Sequence, residues 1–244
     1  MKRKSFSVFI IALLVLASAG CQSKTPAGQP PQFVEPKTAL AAMQATPVGT
    51  DPWQLYYAGP DYIYLTYNFG VEYIFRYNVQ GNTIDKALDA GPLFPAETSG
   101  PRSTNCAFSA DGRYAVVNAG FVPENQPPQT PVYKIDFNEE KITVLANDAD
   151  GFATPPEYTY LTYEETSAVT WEYAALAEAN PELPPLYGAG WCVAARLDAD
   201  HFFLIRPNDP EDASPGQGYL YYRIDVVNVA LGQIVQGIRL DEGV

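Results

Sequence analysis

Phe75-Arg76-Tyr77-Asn78-Val79 recurs as Tyr133-Lys134-Ile135-Asp136-Phe137 and again as Tyr222-Arg223-Ile224-Asp225-Val226. The shared order is aromatic, basic, apolar, Asp or Asn, apolar. A strand alternates its side chains between two faces, so each copy puts three apolar residues on one face and the other two on the opposite face. A turn follows each copy, and a β-rich return segment starts at Ile84, Ile142 or Ile234. Gln80-Gly81-Asn82 shows how the chain reverses, because Gly and Asn accept the positive φ of tight hairpins.

Upstream of each copy lies another strand pattern: Tyr62–Tyr67, Arg113–Asn118 and His201–Arg206. Each follows a turn that ends at Asp61, Asp111 or Asp200, and one further candidate strand precedes each turn: Gln54–Ala58, Asn105–Ser109 and Cys192–Leu197. A unit of about four short antiparallel strands cannot bury both faces alone and must stack on copies of itself. The expected fold class is therefore all-β: a propeller-like stack of four-stranded antiparallel blades with three clear repeats. A sandwich or other meander is the rival. Asp61 and Asp111 lie 50 residues apart, but Asp111 and Asp200 lie 89 apart. Residues 147–190 are then either a fourth, degenerate blade or an insertion. Glu164 to Ala179 favours a helix, with apolar positions at Val169, Tyr173, Leu176 and Ala177.

Phe108-Ser109-Ala110-Asp111-Gly112-Arg113-Tyr114, with Asp-Gly between two strands, resembles the turn of TolB-type and related WD40-like propeller repeats. Val132 to Phe137 resembles their outer hairpin. The likeness is good in one repeat and fainter in the others, where Tyr62 and His201 replace Gly112. These are scaffold motifs, so the resemblance carries no functional residue with it.

The chain begins with Lys2, Arg3 and Lys4, an apolar run from Phe6 to Leu16 broken only by Ser7, and then Ala17-Ser18-Ala19-Gly20-Cys21. That is the order of a secretory signal. The cysteine directly after the small residues makes it resemble a bacterial lipoprotein signal, although Ser18 stands where such signals usually carry Leu. The resemblance implies cleavage before Cys21 and lipidation of Cys21. An ordinary secretory signal or a retained anchor are the alternatives. The apolar run is about half of the roughly 20 residues a spanning helix needs. The expected organisation is signal peptide 1–20, lipidated N-terminus and flexible tether 21–50, and repeat domain 51–244. Thr38 to Ala45 is a candidate short helix within the tether. The implied location is the cell membrane or outer membrane, lipid-anchored and extracytoplasmic.

The formal net charge is −13, and loss of Lys2, Arg3 and Lys4 would make it −16. Nucleic-acid affinity depends on cationic neutralisation, so a nucleic-acid partner is not expected. Anionic headgroups also repel such a surface, which leaves membrane contact to the acyl chains. Cationic ligands, metal ions or basic partners suit it better. The other reading is that acidity simply keeps an exported chain soluble.

Candidate chemistry is sparse. Cys106 and Cys192 form an even pair after lipidation, which permits a disulfide in an oxidising compartment; two buried thiols are the alternative. His201, the one histidine, sits in Asp198-Ala199-Asp200-His201-Phe202 and reads as a base, a ligand or a turn residue. Asp148-Ala149-Asp150-Gly151 with Glu157 partly matches a calcium loop, the one cofactor the sequence suggests. Ala146 at the first ligand position and Pro155-Pro156 favour an ordinary acidic turn. Glu139-Glu140 and Glu164-Glu165 are adjacent acids, and Trp53, Trp171 and Trp191 suit either a groove or packing between units. The Pro-rich connections Phe121–Pro131 and Pro207–Gln217 join the second and third strands of their units. In stacked units they leave at one end and carry Glu124, Asp209, Glu211 and Asp212, an acidic set suited to a cationic partner. No nucleophile elbow or phosphate loop is present. The functional expectation is a membrane-anchored lipoprotein acting as a binding or scaffold module for a protein, peptide or carbohydrate. The rival is an exported hydrolase with a carboxylate-based site in a propeller cleft.

Overall fold

Three antiparallel meanders carry most of the chain. The computed structural model describes residues 29–43, 53–67, 73–94, 103–122, 127–146, 152–187, 192–210 and 222–240. Residues 1–20 and Cys21, with the signal and lipidation expectations, lie outside the described residues. β1 (Gln32–Val34) and α1 (Pro36–Met43) come first. Sheet 1 is then built from β2 (Trp53–Ala58), β3 (Tyr62–Tyr67), β4 (Tyr73–Asn78) and β5 (Thr83–Asp89). Sheet 2 follows with β6 (Ser103–Ser109), β7 (Tyr114–Gly120), β8 (Val132–Asp136) and β9 (Lys141–Ala146). After β10 (Tyr158–Thr159) and α2 (Tyr163–Ala179), sheet 3 takes β11 (Val193–Arg196), β12 (His201–Pro207), β13 (Tyr222–Asn228) and β14 (Gln233–Arg239). β1 adds to β5 and β10 adds to β6, both antiparallel. The fold is thus mostly β, in antiparallel sheets of four and five strands.

Alternation decides the layers. Leu55, Leu65, Phe75 and Tyr77 of sheet 1 pack against Phe203, Ile205, Ile224 and Val226 of sheet 3. Tyr64, Ile74 and Leu88 on the opposite face of sheet 1 pack against Phe108, Val117 and Ile135 of sheet 2. The far face of sheet 3, with Ala194, Phe202, Leu204 and Val227, is covered by Tyr173 and Leu183. The order through the core is therefore sheet 2, sheet 1, sheet 3, α2.

The Asp-Gly turn of sheet 2 is held by sheet 1. Gly112 has φ +66°, a backbone that glycine adopts without Cβ strain. The Tyr57 hydroxyl donates to the Ala110 carbonyl at 2.8 Å and the Tyr64 hydroxyl to the Gly112 carbonyl at 2.6 Å. A Cβ on Gly112 would sit 2.7 Å from the Tyr57 ring. Trp53 meets Tyr222 edge-on across sheets 1 and 3, with ring centroids 6.4 Å apart. The first of these contacts joins turn ends of neighbouring sheets and the second joins their opposite ends, so the three sheets share one orientation.

Two sequence expectations need correction. Part of the expected tether is ordered: β1 pairs with β5, and Ala39 and Leu40 of α1 are buried between sheets 1 and 3. The apolar side of Ala39-Leu40 gains burial there, and the strand addition satisfies backbone groups of both partners. The third repeat copy is also misregistered. Asn78, Asp136 and Asn228 each accept from a backbone N–H of the turn that follows. Val79, Phe137 and Val229 donate to Asp61, Arg113 and Asp200 carbonyls. Positive φ then falls on Asn82, Glu140 and Gly232. Asn228, not Asp225, is therefore the counterpart of Asn78. A slip of three residues is odd, so it moves every side chain to the other face. The return positions Ile84, Ile142 and Ile234 do correspond, opposite Tyr77, Ile135 and Val227.

Between sheets 2 and 3 the described residues form β10 and α2, and β10 belongs to sheet 2. The helical insertion stands there rather than a fourth strand unit. α2 starts with a reciprocal capping box, in which Thr162 accepts from the Glu165 N–H and Glu165 accepts from the Thr162 N–H. Thr170 Oγ1 accepts from the Ala194 N–H at 3.0 Å, so the helix satisfies a donor on edge strand β11. Tyr173 is buried as expected, with Val169 and Ala177 packed beside it, whereas Leu176 is turned outward and 38% exposed.

Candidate functional site

A row of three arginines crosses sheet 3. Register sets Arg206 of β12 opposite Arg223 of β13, and Arg223 opposite Arg239 of β14. Like charges directly opposite one another destabilise a sheet unless something bridges them. Asp225, two residues along on the same face, does so. Its Oδ2 accepts from Arg206 Nε at 2.9 Å, and its Oδ1 accepts from Arg223 Nε at 3.0 Å and Nη2 at 2.7 Å. The Asp225 side chain is fully buried, that of Arg206 is 6% exposed and that of Arg223 is 25% exposed. Gly237 stands opposite Asp225, and a Cβ there would lie 2.5 Å from Asp225 Oδ1. The absent side chain leaves the room the carboxylate occupies. The Arg206 guanidinium lies 5.6 Å from the Tyr187 ring centroid. Burial pushes the Cys192 thiol up to about 12, with Arg206 acting in the opposite sense.

The row is particular to sheet 3. Counting along the strands from the paired residues Tyr62 and Asn78, which match His201 and Asn228, the corresponding positions of sheet 1 are Tyr67, Tyr73 and Asp89. Nothing in the repeat requires arginine at all three. Sequence reasoning quoted Arg223 and Asp225 but missed Arg206 and Arg239. The signal was a charge at the end of the apolar run His201-Phe202-Phe203-Leu204-Ile205-Arg206.

The predicted site residues that lie among the described residues are not gathered in one place. Cys106 and Cys192 do not form a disulfide: Cys106 is buried between sheets 1 and 2, and Cys192 leads into β11 of sheet 3. Their apolar surroundings favour the neutral thiol, and burial raises Cys106 well above the ordinary range. Asp148, Asp150, Glu124, Glu211, Asp212 and Trp191 lie outside the described residues, while Glu157 and Asp209 are exposed. Among the described residues no group of three His, Cys, Asp or Glu could hold a metal ion.

His201 works as a turn residue. Its Nδ1 lies 2.9 and 3.0 Å from the Asp198 oxygens, and the Asn228 amide donates to Nε2 at 3.1 Å. Backbone N–H groups of Asp200 and His201, with the His201 ring, hold Asp198 below the usual carboxylate range. Glu139 bonds Arg113, Glu140 pairs with Lys86, and Glu165 caps α2. Trp53 is packing, with Phe75 and Tyr222 at its edges. Trp171 is 64% exposed on α2, beside the exposed acids of that helix.

The connections from β7 to β8 and from β12 to β13 leave their sheets at the end marked by Trp53 and Tyr222. Arg206, one residue before the end of β12, stands at that same end. In comparisons with protein-family models, curated proteins and solved structures, none matches the chain.

Proposed function

We propose that the chain is a lipid-anchored, extracytoplasmic binding module. Its body is a propeller-like ring in which the segment bearing β10 and α2 takes the position of a fourth blade. Support for the ring comes from chain order: that segment runs between sheets 2 and 3, touching the first through β10 and the second through α2. The remaining link is sheet 1, packed on both. Cys21 is the proposed anchor, on the small-residue run that ends at it.

The observation that carries the binding reading is the common end at which the two wide connections emerge. Loops that leave one end of a rigid β scaffold are the usual carriers of recognition. Among the described residues, His201, Asp136 and Glu165 are engaged in turns and caps.

The test has two parts. Cys21→Ala should move the protein from the membrane to the soluble fraction or leave it unprocessed. Intact-mass analysis that finds cleavage elsewhere, with an unmodified Cys21, removes the anchor. The full-length chain should also bind members of a peptide or glycan array, and shortening both connections should abolish that binding while the unfolding transition is kept. Turnover of glycans or esters that depends on one Asp or Glu would replace the binding reading with a hydrolase.

A further inference from the structure

We infer that β9 is a receiving edge for an extended acidic peptide, which adds to sheet 2 as a strand and places a carboxylate beside Lys134 and Lys141. The cavity that takes the carboxylate borders the β8–β9 turn, at the opposite end of sheet 2 from the β7–β8 connection. The site therefore goes beyond the binding-module reading and needs neither the two wide connections nor Cys21.

β9 ends the strand order of sheet 2, and among the described residues no strand pairs with its outer side. An open edge offers unpaired N–H and C=O groups to another chain. The protein already uses this geometry once: β5, the fourth strand of the first meander, takes β1 antiparallel along Ala87, Leu88 and Asp89. Lys141, Thr143, Val144 and Leu145 of β9 are exposed. The bulge at Leu145 leaves residues 141–144 as the regular stretch.

Beside this edge lies a cavity of about 240 Å³, lined by Tyr114, Lys134, Asp136, Glu139, Lys141 and Thr143. Ile135 and Ile142 face the core, so alternation puts Lys134, Lys141 and Thr143 on the opposite face. The acids of the cavity are already engaged. Asp136 accepts from Arg113 Nη2 at 3.0 Å and from the Asn138 and Glu139 N–H groups, and Glu139 accepts from the same Nη2 at 3.1 Å. Neither lysine forms an ion pair among the described residues, and the Lys134 ammonium rests 4.4 Å from the Tyr114 ring centroid. Counting Arg113, three cations meet two carboxylates here, in a chain whose net charge is −13. Lysine on an edge normally guards against pairing. Here it repels a basic strand or a second copy of the same edge and admits a strand that brings acids. The side chains of an added strand alternate, so acids over the cavity leave apolar residues to cover Val144, which is 51% exposed on the other face.

Backbone amide NMR of the full-length chain tests this with the peptide acetyl-Val-Glu-Val-Glu-Val-amide. The expected result is a saturable shift of the amides of residues 141–144, with slower hydrogen exchange there. The counterpart with Gln in place of Glu should bind at least tenfold more weakly, about 1.4 kcal/mol, and the Lys counterpart should not bind. N-methylation of the central Val removes strand pairing without touching the charge and should weaken binding as much. Lys134→Gln combined with Lys141→Gln should keep the unfolding midpoint and lose the preference for Glu over Gln. Lys37→Gln, exposed on α1, should change nothing. Unshifted β9 amides, a Gln or N-methylated peptide that binds as tightly, or a preference kept in the double variant would each overturn the proposal. Shortening the two wide connections should leave this binding intact, and its loss there would overturn the proposal too. Silent β9 amides in a chain whose array binding depends on those connections would leave the module reading standing and this one refuted.

Discussion

Replacing Asp225 by Asn perturbs the arginine row with almost no change of shape. The carboxylate accepts three bonds from two guanidinium groups and is fully buried. The amide has no charge and offers one oxygen, so its NH2 group must face guanidinium donors. Removing one partner of a buried ion pair costs about 3–5 kcal/mol. Arg223 is one-quarter exposed and can recover part of its hydration, which sets the expectation near the lower bound, about 3 kcal/mol. With a urea slope of roughly 2 kcal/mol/M, the unfolding midpoint should fall by about 1.5 M with an unchanged slope. Trp53 fluorescence suits the assay, because Trp53 is buried between sheets 1 and 3. Asp209→Asn, on an exposed position, should stay within about 0.5 kcal/mol of the parent. A midpoint shift for Asp225→Asn no larger than that control would refute the reasoning that the row depends on the Asp225 carboxylate.

Thr170→Val keeps the shape of the side chain but orphans the Ala194 N–H. A loss of about 1–3 kcal/mol is expected, with faster hydrogen exchange at Ala194, and Thr170→Ser should restore most of it. Gly112→Ala places a Cβ at φ +66° and 2.7 Å from the Tyr57 ring; it should cost more than about 1 kcal/mol in chemical denaturation, and a neutral result would mean the turn relaxes freely. Acid should destabilise the fold through Asp111, Asp136 and Asp198. The Ser109 hydroxyl lowers the first, and backbone N–H groups lead the lowering of Asp198; in Asp136 burial acts upward but Arg113 and the following N–H groups prevail. Their folded-state values lie below the unfolded ones, so the unfolded chain binds more protons as pH falls. That stability is present above the ordinary carboxylate range near pH 4 and is lost below it. Thermal midpoints should therefore drop as pH descends through about 4, and a flat profile there would contradict the assignment.

Much of the architecture is legible in local sequence because its causes are local. Period-two alternation and Gly, Asn and Asp at turns marked all twelve strands of the three meanders, and Tyr62–Tyr67 matches β3 residue for residue. Glu164–Ala179 was readable as a helix from composition, and its capping box, Thr162 with Glu165, was there to be read as well. Register was not local. Tyr222-Arg223-Ile224-Asp225-Val226 satisfies the same pattern of residue types as its two relatives, and the turn bonds of Asn228 and Val229, with the positive φ of Gly232, show that it is displaced. Gln32-Phe33-Val34 is too short to announce a strand, since it depends on β5 for its hydrogen bonds.

The arginine row shows the same division. Sequence alone supplied one arginine at the end of an apolar run, another beside an aspartate, and a third near the C-terminus. Strand pairing across β12, β13 and β14 made them neighbours, and the missing side chain of Gly237 made room for Asp225 between two of them. Residues 206, 223 and 239 are too far apart along the chain for any local rule to link them. Their meeting is decided by hydrogen-bond register, which depends on every residue of the strands that carry them.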